Sequence, residues 1–213
     1  PCCVKYICNG CHFANFRREM EQGLEERCLY CRDSPPQFEE DADRKCMERV
    51  KVNDPVALYQ MGKKYLARDY DSAFAYLTKA AALGDFHAHY EVSVMYRLGE
   101  GVEKDLKKER HHLEEAAIGG HHVARNNLGN YESMSGNMER ATKHFIIAAK
   151  LGYDHPMISS LGAVKQGFQM GIVSKEEYAA TLRGHQAAVD ATKSEQREKA
   201  KKNRLERSRR ASS

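Results

Sequence analysis

Cysteine pairs near the start of the chain are the residues whose type and spacing best suit chemistry. "YICNGC", residues 6–11, and "ERCLYCR", residues 26–32, each hold two cysteines separated by two residues, and Cys2 and Cys3 precede them. Thiolates at this spacing commonly bind zinc. Disulfides are the alternative, but they are typical of small secreted domains, whereas this cluster stands at one end of a long chain. The sequence therefore favours a zinc site in a reducing compartment.

The composition favours a soluble, largely helical protein. The 213 residues are 30% charged and 41% hydrophobic, with no tryptophan and 5 prolines. No apolar run approaches the roughly twenty residues that span a bilayer, so we predict no membrane segment. No signal peptide is visible, and we therefore expect a cytoplasmic or nuclear protein.

Positive charge is concentrated at the end of the chain. Residues 191–213 contain nine Lys or Arg and three Glu, a charge of +6, so the formal total of +4 leaves −2 for the residues before them. The body is therefore not a basic nucleic-acid binder. Only the basic tail could contact nucleic acid or act as a nuclear import signal, and a solvated helix end is the alternative interpretation.

The middle of the chain repeats itself. One alanine ladder recurs at intervals of 31 and 36 residues, a second at 36 and 32, and a glycine ladder follows the second at a constant offset. Pro156 takes the alanine position of the first ladder in a more diverged fourth copy. Small residues allow helices to approach closely, and glycine commonly ends a helix in the left-handed conformation. The ladders are Ala57, Ala88 and Ala124; Ala81, Ala117 and Ala149; Gly84, Gly120 and Gly152.

Each copy divides into two amphipathic helices. Because one such pair cannot bury its apolar face alone, copies stack into a superhelix with a concave surface. We therefore predict an all-α helical-repeat solenoid, with a non-repeating helical bundle as the alternative. The predicted first helices are 55–67, 86–98, 122–135 and 156–170, and the second helices are 71–83, 104–118, 138–151 and 174–192.

The repeat pattern resembles a known family. Its elements are Ala-x-x-x-Leu-Gly, a Gly-x-Gly-Val-x-x-Asp turn and Ala-Ala-x-x-Gly, and "MYRLGEGVEKDLKKERHHLEEAAIGGH" from Met95 carries the best copy. The pattern is similar to that of the Sel-one-like repeats (SLR), relatives of tetratricopeptide repeats, over roughly residues 53–190. The resemblance implies an adaptor scaffold that binds proteins through its concave face, with no chemistry of its own.

The cysteine-rich segment has a second resemblance. "PCCVKYICNGCHFANFRREMEQGLEERCLYCR" resembles the C-terminal part of a RING finger. In that family the first and third cysteine pairs bind one zinc ion, and the second and fourth pairs bind another. The family's first pair would lie upstream of Pro1, so we expect a truncated finger. A zinc ribbon or another small cross-braced finger is the alternative. The implied ligands are Cys2, Cys3, Cys28 and Cys31 for one complete, structural site, and Cys8 and Cys11 for half of another.

RING fingers are implied to be ubiquitin ligases that dock a ubiquitin-conjugating enzyme and supply no covalent catalytic residue. Arg32 follows the last cysteine, where the family often has a partner-binding arginine. Ile7 would help form the docking groove, and Leu29 stands where the family has proline. Two hypotheses follow: a ligase whose repeats bind the substrate or a partner, or a non-catalytic adaptor whose finger is structural.

Other candidate groups have plainer interpretations. The histidines cluster at residues 87–89, 111–112 and 121–122, but no Asp or Cys stands three or four residues after any of them to complete a metal site. We expect them on the repeat surface or between helices, and we expect Cys46 to be a buried thiol. The predicted organisation is a partial finger (1–32), a linker and leading helix (33–52), repeats at 53–84, 85–120, 121–153 and 154–192, and a basic tail (193–213).

Overall fold

The computed structural model describes residue 15, residues 17–25, residue 27, residues 39–152 and residues 160–192. The chain divides into two compact units. The first comprises Pro1–Val52 and Asp190–Ser213, and the second is Asn53–Val189.

The described part of the first unit is largely helical. Residues 17–21 form the end of a helix, and helix α1 runs over Glu39–Lys51. The Glu19 carboxylate accepts a hydrogen bond from the Arg27 backbone N–H at 3.3 Å. Cys46 on α1 is 8% exposed, which confirms the prediction of a buried thiol.

The second unit is built from four helix pairs. The predicted and observed ends of these helices differ by at most two residues. The one end that cannot be compared is the predicted start of α8 at residue 156, which lies outside the described residues. The observed helices are α2 (Pro55–Tyr65), α3 (Tyr70–Ala82), α4 (Phe86–Leu98), α5 (Leu106–Ile118), α6 (His122–Met134), α7 (Met138–Lys150), α8 (Ser160–Gln169) and α9 (Lys175–Thr192). No helix in the described ranges is long and apolar enough to cross a membrane.

Polar residues begin the first helices of the repeats, and the ladder glycines follow the second helices. Asp54 begins α2 by accepting hydrogen bonds from the backbone N–H groups of Val56 and Ala57, and Asp85 begins α4 by accepting from Ala88. Such side-chain caps satisfy amides that have no partner within the helix. The glycine ladder adopts the predicted left-handed conformation, with φ angles of 88°, 91° and 83° at Gly84, Gly120 and Gly152.

The alanine ladders form the core of the solenoid. All six ladder alanines are buried, and each of α2–α8 packs against its neighbour along the chain. The second helices α3, α5 and α7 each carry a large buried side chain four residues before the ladder alanine. These side chains are Leu77, Leu113 and Phe145. Alternating small and large side chains let adjacent helices interdigitate.

The Gly-x-Gly-Val turn of the second repeat lies against the first repeat. Gly101 adopts a φ of 67°, and a Cβ added there would lie 2.5 Å from the carbonyl oxygen of Tyr70. Tyr70 is the first residue of α3. The signature glycine therefore allows two backbones from successive repeats to meet.

Candidate functional site

The predicted zinc ligands and partner-binding residues lie outside the described residues. This holds for Cys2, Cys3, Cys8, Cys11, Cys28 and Cys31, and for Ile7, Leu29 and Arg32. Within the part of the chain that the structure describes, no group of three or more His, Cys, Asp or Glu residues is arranged to hold a metal ion. The candidate site that the structure does describe is the surface of the helical repeats.

The first helices of successive repeats contact one another directly. Lys63 Nζ on α2 lies 2.7 Å from Glu91 Oε1 on α4. Further along, Ser160 Oγ on α8 donates a hydrogen bond to Asn126 Oδ1 on α6 at 2.9 Å. The rings of His87 on α4 and His121 at the start of α6 lie 5.3 Å apart. These contacts place α2, α4, α6 and α8 side by side, and we call them the first-helix layer.

A row of polar side chains runs across the first-helix layer. Gln60, Glu91 and Asn127 each stand three residues after a ladder alanine, so they occupy the same position in three successive repeats. All three are partly exposed. We call this set the polar row. Its amide and carboxylate groups can exchange hydrogen bonds with a bound chain.

A buried carboxylate on α6 joins the second and third repeats. Glu132 on α6 lies 2.8 Å from Arg110 on α5 and 3.7 Å from Arg140 on α7, and it accepts a hydrogen bond from Asn137 at 3.1 Å. Burial alone would raise the pKa of the Glu132 carboxyl, but the Asn137 hydrogen bond and the two arginine charges outweigh it and lower the pKa. Glu132 therefore stays ionised and acts as a structural link between three helices.

Two histidines meet between α4 and α5. The Nδ1 atoms of His89 and His112 are 3.0 Å apart, and the ring of Tyr96 stacks on His112 with centroids 5.7 Å apart. Burial, aided by the nearby His89 and His111, lowers the pKa of His112 to about 4. The pair lies between helices, as expected from the sequence, and it is neutral near pH 7.

A third histidine begins α6. Nδ1 of His121 accepts a hydrogen bond from the Ala124 backbone N–H at 3.2 Å, and the ring of Tyr90 stacks on its imidazole at 4.3 Å. Burial, together with the neighbouring His87 and His122, lowers the pKa of His121 to about 4. This histidine occupies the place that aspartate has in the first two repeats.

Arg125 forms a link between α5 and α6 that the sequence did not predict. Arg125 on α6 donates a hydrogen bond of 2.6 Å to the Ala117 carbonyl at the end of α5. A cation at this end of a helix satisfies a carbonyl that has no partner within the helix. Arg125 is the residue after a ladder alanine, where the earlier repeats have Leu58 and His89. A charged residue at the position that Leu58 holds in the first repeat was the sequence signal that could have indicated this link.

Comparisons with known proteins address the repeat region. The family model described as "Sel1 repeat" matches residues 56–85, 86–121 and 122–153. No curated protein matches the chain.

Two solved structures share the fold. A Sel1 repeat protein from Oxalobacter formigenes is 20% identical, with a TM-score of 0.56 over 86% of this chain and 73% of that one. A protective antigen present in uropathogenic Escherichia coli strains, which displays an SLR fold, is 18% identical, with a TM-score of 0.53 over 78% of this chain and 36% of that one. At these identities the likeness shows the fold alone. Together with the family match, it shows that residues 56–153 consist of three Sel1 repeats.

Proposed function

We propose that this chain is a protein-binding scaffold that holds a partner against the first-helix layer of its Sel1 repeats. Sel1 repeats generally mediate interactions between proteins. Stacked helix pairs create an extended concave surface suited to that role. The observation that carries the proposal is the polar row, because its three side chains recur at one position of successive helices and remain partly exposed.

The chemistry of the polar row favours an extended segment of a partner protein. Gln60 and Asn127 offer both donors and acceptors, and Glu91 offers acceptors beside the ammonium group of Lys63. An extended segment presents backbone N–H and C=O groups at regular spacing, so it can bond to side chains on consecutive helices. We therefore infer that affinity is distributed over at least two repeats.

Substitution of the polar row is expected to weaken partner binding. We expect Asn127→Arg to raise the Kd for a partner about tenfold or more, because a long cation replaces a short amide in the contact surface. The partner is first captured by cross-linking to the full chain and then purified, and its Kd is measured by calorimetry. Thr78→Arg is the matched control, because Thr78 is an exposed polar residue on the second helix α3. Equal affinity of both variants would contradict the proposal.

A second candidate function rests on the spacing of the cysteines. Two Cys-x-x-Cys pairs with sixteen residues between them, preceded by Cys2 and Cys3, fit the later part of a zinc-binding RING finger. In this proposal zinc is held by the predicted cysteines, the finger recruits a ubiquitin-conjugating enzyme, and the repeats bind the substrate. Ubiquitin transfer in a reconstituted reaction that is lost on Arg32→Ala, with folding retained, supports it. Absence of transfer both by this chain and by one extended upstream contradicts the ligase role and leaves the scaffold.

Zinc content tests the finger directly. We expect about one zinc ion per chain after purification without chelator, because one four-cysteine site is complete. Cys28→Ser is expected to abolish that zinc, as measured by atomic absorption. Cys46→Ala is the control and should retain it, since Cys46 is buried on α1. Absence of zinc from the unmodified chain, and from one extended upstream, would rule out the finger.

A further inference from the structure

The hydrogen bond between His89 and His112 depends on their protonation. The two Nδ1 atoms lie 3.0 Å apart, so one must carry the proton and the other must accept it. A neutral imidazole can accept at one nitrogen, whereas a protonated imidazole only donates. If both rings were protonated, two N–H groups would point at each other. The pair therefore holds α4 against α5 only while at least one ring is neutral.

The cap on α6 depends on protonation in the same way. His121 Nδ1 accepts from the Ala124 N–H, and a proton on that nitrogen would remove the acceptor. It would also place a positive charge at a helix N-terminus, where the helix dipole disfavours it. Asp54 and Asp85 cap the equivalent helices with carboxyl groups, which keep an acceptor oxygen whether or not they carry a proton. Among the first helices whose caps lie in the described residues, α6 alone begins with a histidine, whose acceptor nitrogen a proton can occupy.

We propose that α4, α5 and the start of α6 form an acid-sensitive junction, in which proton uptake by His89 and His112 loosens α4 from α5 within the second repeat and proton uptake by His121 loosens the start of the third. The proposal goes beyond partner binding. It implies that a partner spanning both repeats is released in a mildly acidic environment. The device is local, because the His89–His112 pair lies within the second repeat and His121 begins the first helix of the third.

Burial is the largest influence on the pKa of each of these three histidines, and it lowers all three pKa values. Burial lowers the pKa of His89 and outweighs the opposing charges of Glu115 and Asp85. Near His112, Lys108 lies over the Tyr96 ring and His111 adds a second basic group. At the cap, His87 and His122 are the facing titratable groups, and Tyr90 stacks on the ring. The neighbouring charges that act on these two rings are those of other histidines, His89 and His111 for His112 and His87 and His122 for His121.

The direction of the pH effect follows from linkage. Both His112 and His121 have a folded pKa of about 4, below the value of 6.5 expected for an unfolded chain. The unfolded state therefore binds protons first as the pH falls. Their contribution to stability is fully present above pH 6.5 and is lost progressively as the pH falls from 6.5 towards 4.

The repeats themselves supply the variants for the test. His121→Asp copies the caps of the first two repeats. His89→Leu with His112→Tyr copies Leu58 and Tyr76, which hold the same positions in the first repeat. The triple variant is expected to lose less than half as much Tm as the unmodified chain between about pH 7.5 and about pH 5, measured by circular dichroism on the full chain.

His111→Gln is the matched control, because His111 is an exposed histidine on the same helix. It should lose as much Tm as the unmodified chain. An equal loss in the triple variant would overturn the proposal.

A measurement on the unmodified chain keeps the test independent of variant folding. We expect NMR titration to give His112 and His121 pKa values well below 6.5, and the Ala124 amide to lose protection from hydrogen exchange as the pH falls. Titration of both rings near 6.5, with unchanged protection at Ala124, would overturn the acid-sensitive junction. It would leave partner binding by the polar row untouched.

Discussion

Replacing Leu113 with alanine is expected to lower the free energy of unfolding by about 2–5 kcal/mol. Leu113 is 1% exposed and lies at the centre of a core cluster shared by α5 and α6. The loss combines the transfer free energy of the deleted groups with the cost of the remaining cavity. The cluster around it consists of Ala116, Ala117, Ala124 and Leu128, with Tyr90 and Tyr131 packed against it.

The upper half of that range is expected because three of the six side chains around Leu113 are alanines. An alanine side chain has no rotamer with which to fill a cavity, so the helices must shift or the void remains. Urea unfolding followed by circular dichroism measures the change. Leu106→Ala is the control on the same helix, because Leu106 is 57% exposed, and it should change the free energy little. Similar losses in the two variants would contradict this account of the core.

Gly101→Ala is expected to lower the free energy of unfolding by roughly 2–4 kcal/mol. Two costs combine at this position. A φ of 67° is unfavourable for alanine, and the new Cβ would lie 2.5 Å from the carbonyl oxygen and 2.6 Å from the carbonyl carbon of Tyr70. Because both contacts are to backbone, relief requires the turn to move away from α3.

A second glycine separates the two costs. Gly136 occupies the corresponding turn of the third repeat with a φ of 81°, and a Cβ there would have nothing within 4 Å. Gly136→Ala should therefore cost only the conformational term, about 1 kcal/mol. The difference between the variants, measured by urea unfolding, reports the contact between repeats. If both variants lost the same amount, the turn would not be packed against Tyr70.

The sequence was sufficient to predict the helices because their positions are marked repeatedly. The alanine ladders mark where helices touch, and the glycine ladder marks where second helices end. Asp54 and Asp85 mark where first helices begin, since aspartate is a preferred cap. These signals are local, and the three copies of each ladder support one another. The Sel1 repeats were recognisable from residues for the same reason.

The links between helices could not be predicted from those signals. His89 and His112 are separated by 23 residues, and their contact depends on the rotation of two helices about their axes. The network around Glu132 is similar, because it joins three helices. A clue existed, since Glu132 occupies the position of Tyr65 and Tyr96 in the earlier repeats. A charged residue at a position that is aromatic in other copies indicates a specific partner.

The order of packing in the second unit makes its folding close to one-dimensional. Each of α2–α8 packs against the helix next to it in the chain, and even the Gly101 turn reaches back only to α3. Contacts so close in sequence require the closure of short loops, which favours rapid folding. Stability is then a sum of repeat terms and boundary terms, so a weak boundary can open while the repeats on either side stay folded. Under mechanical force or heat, such an array is expected to unfold one group of repeats at a time.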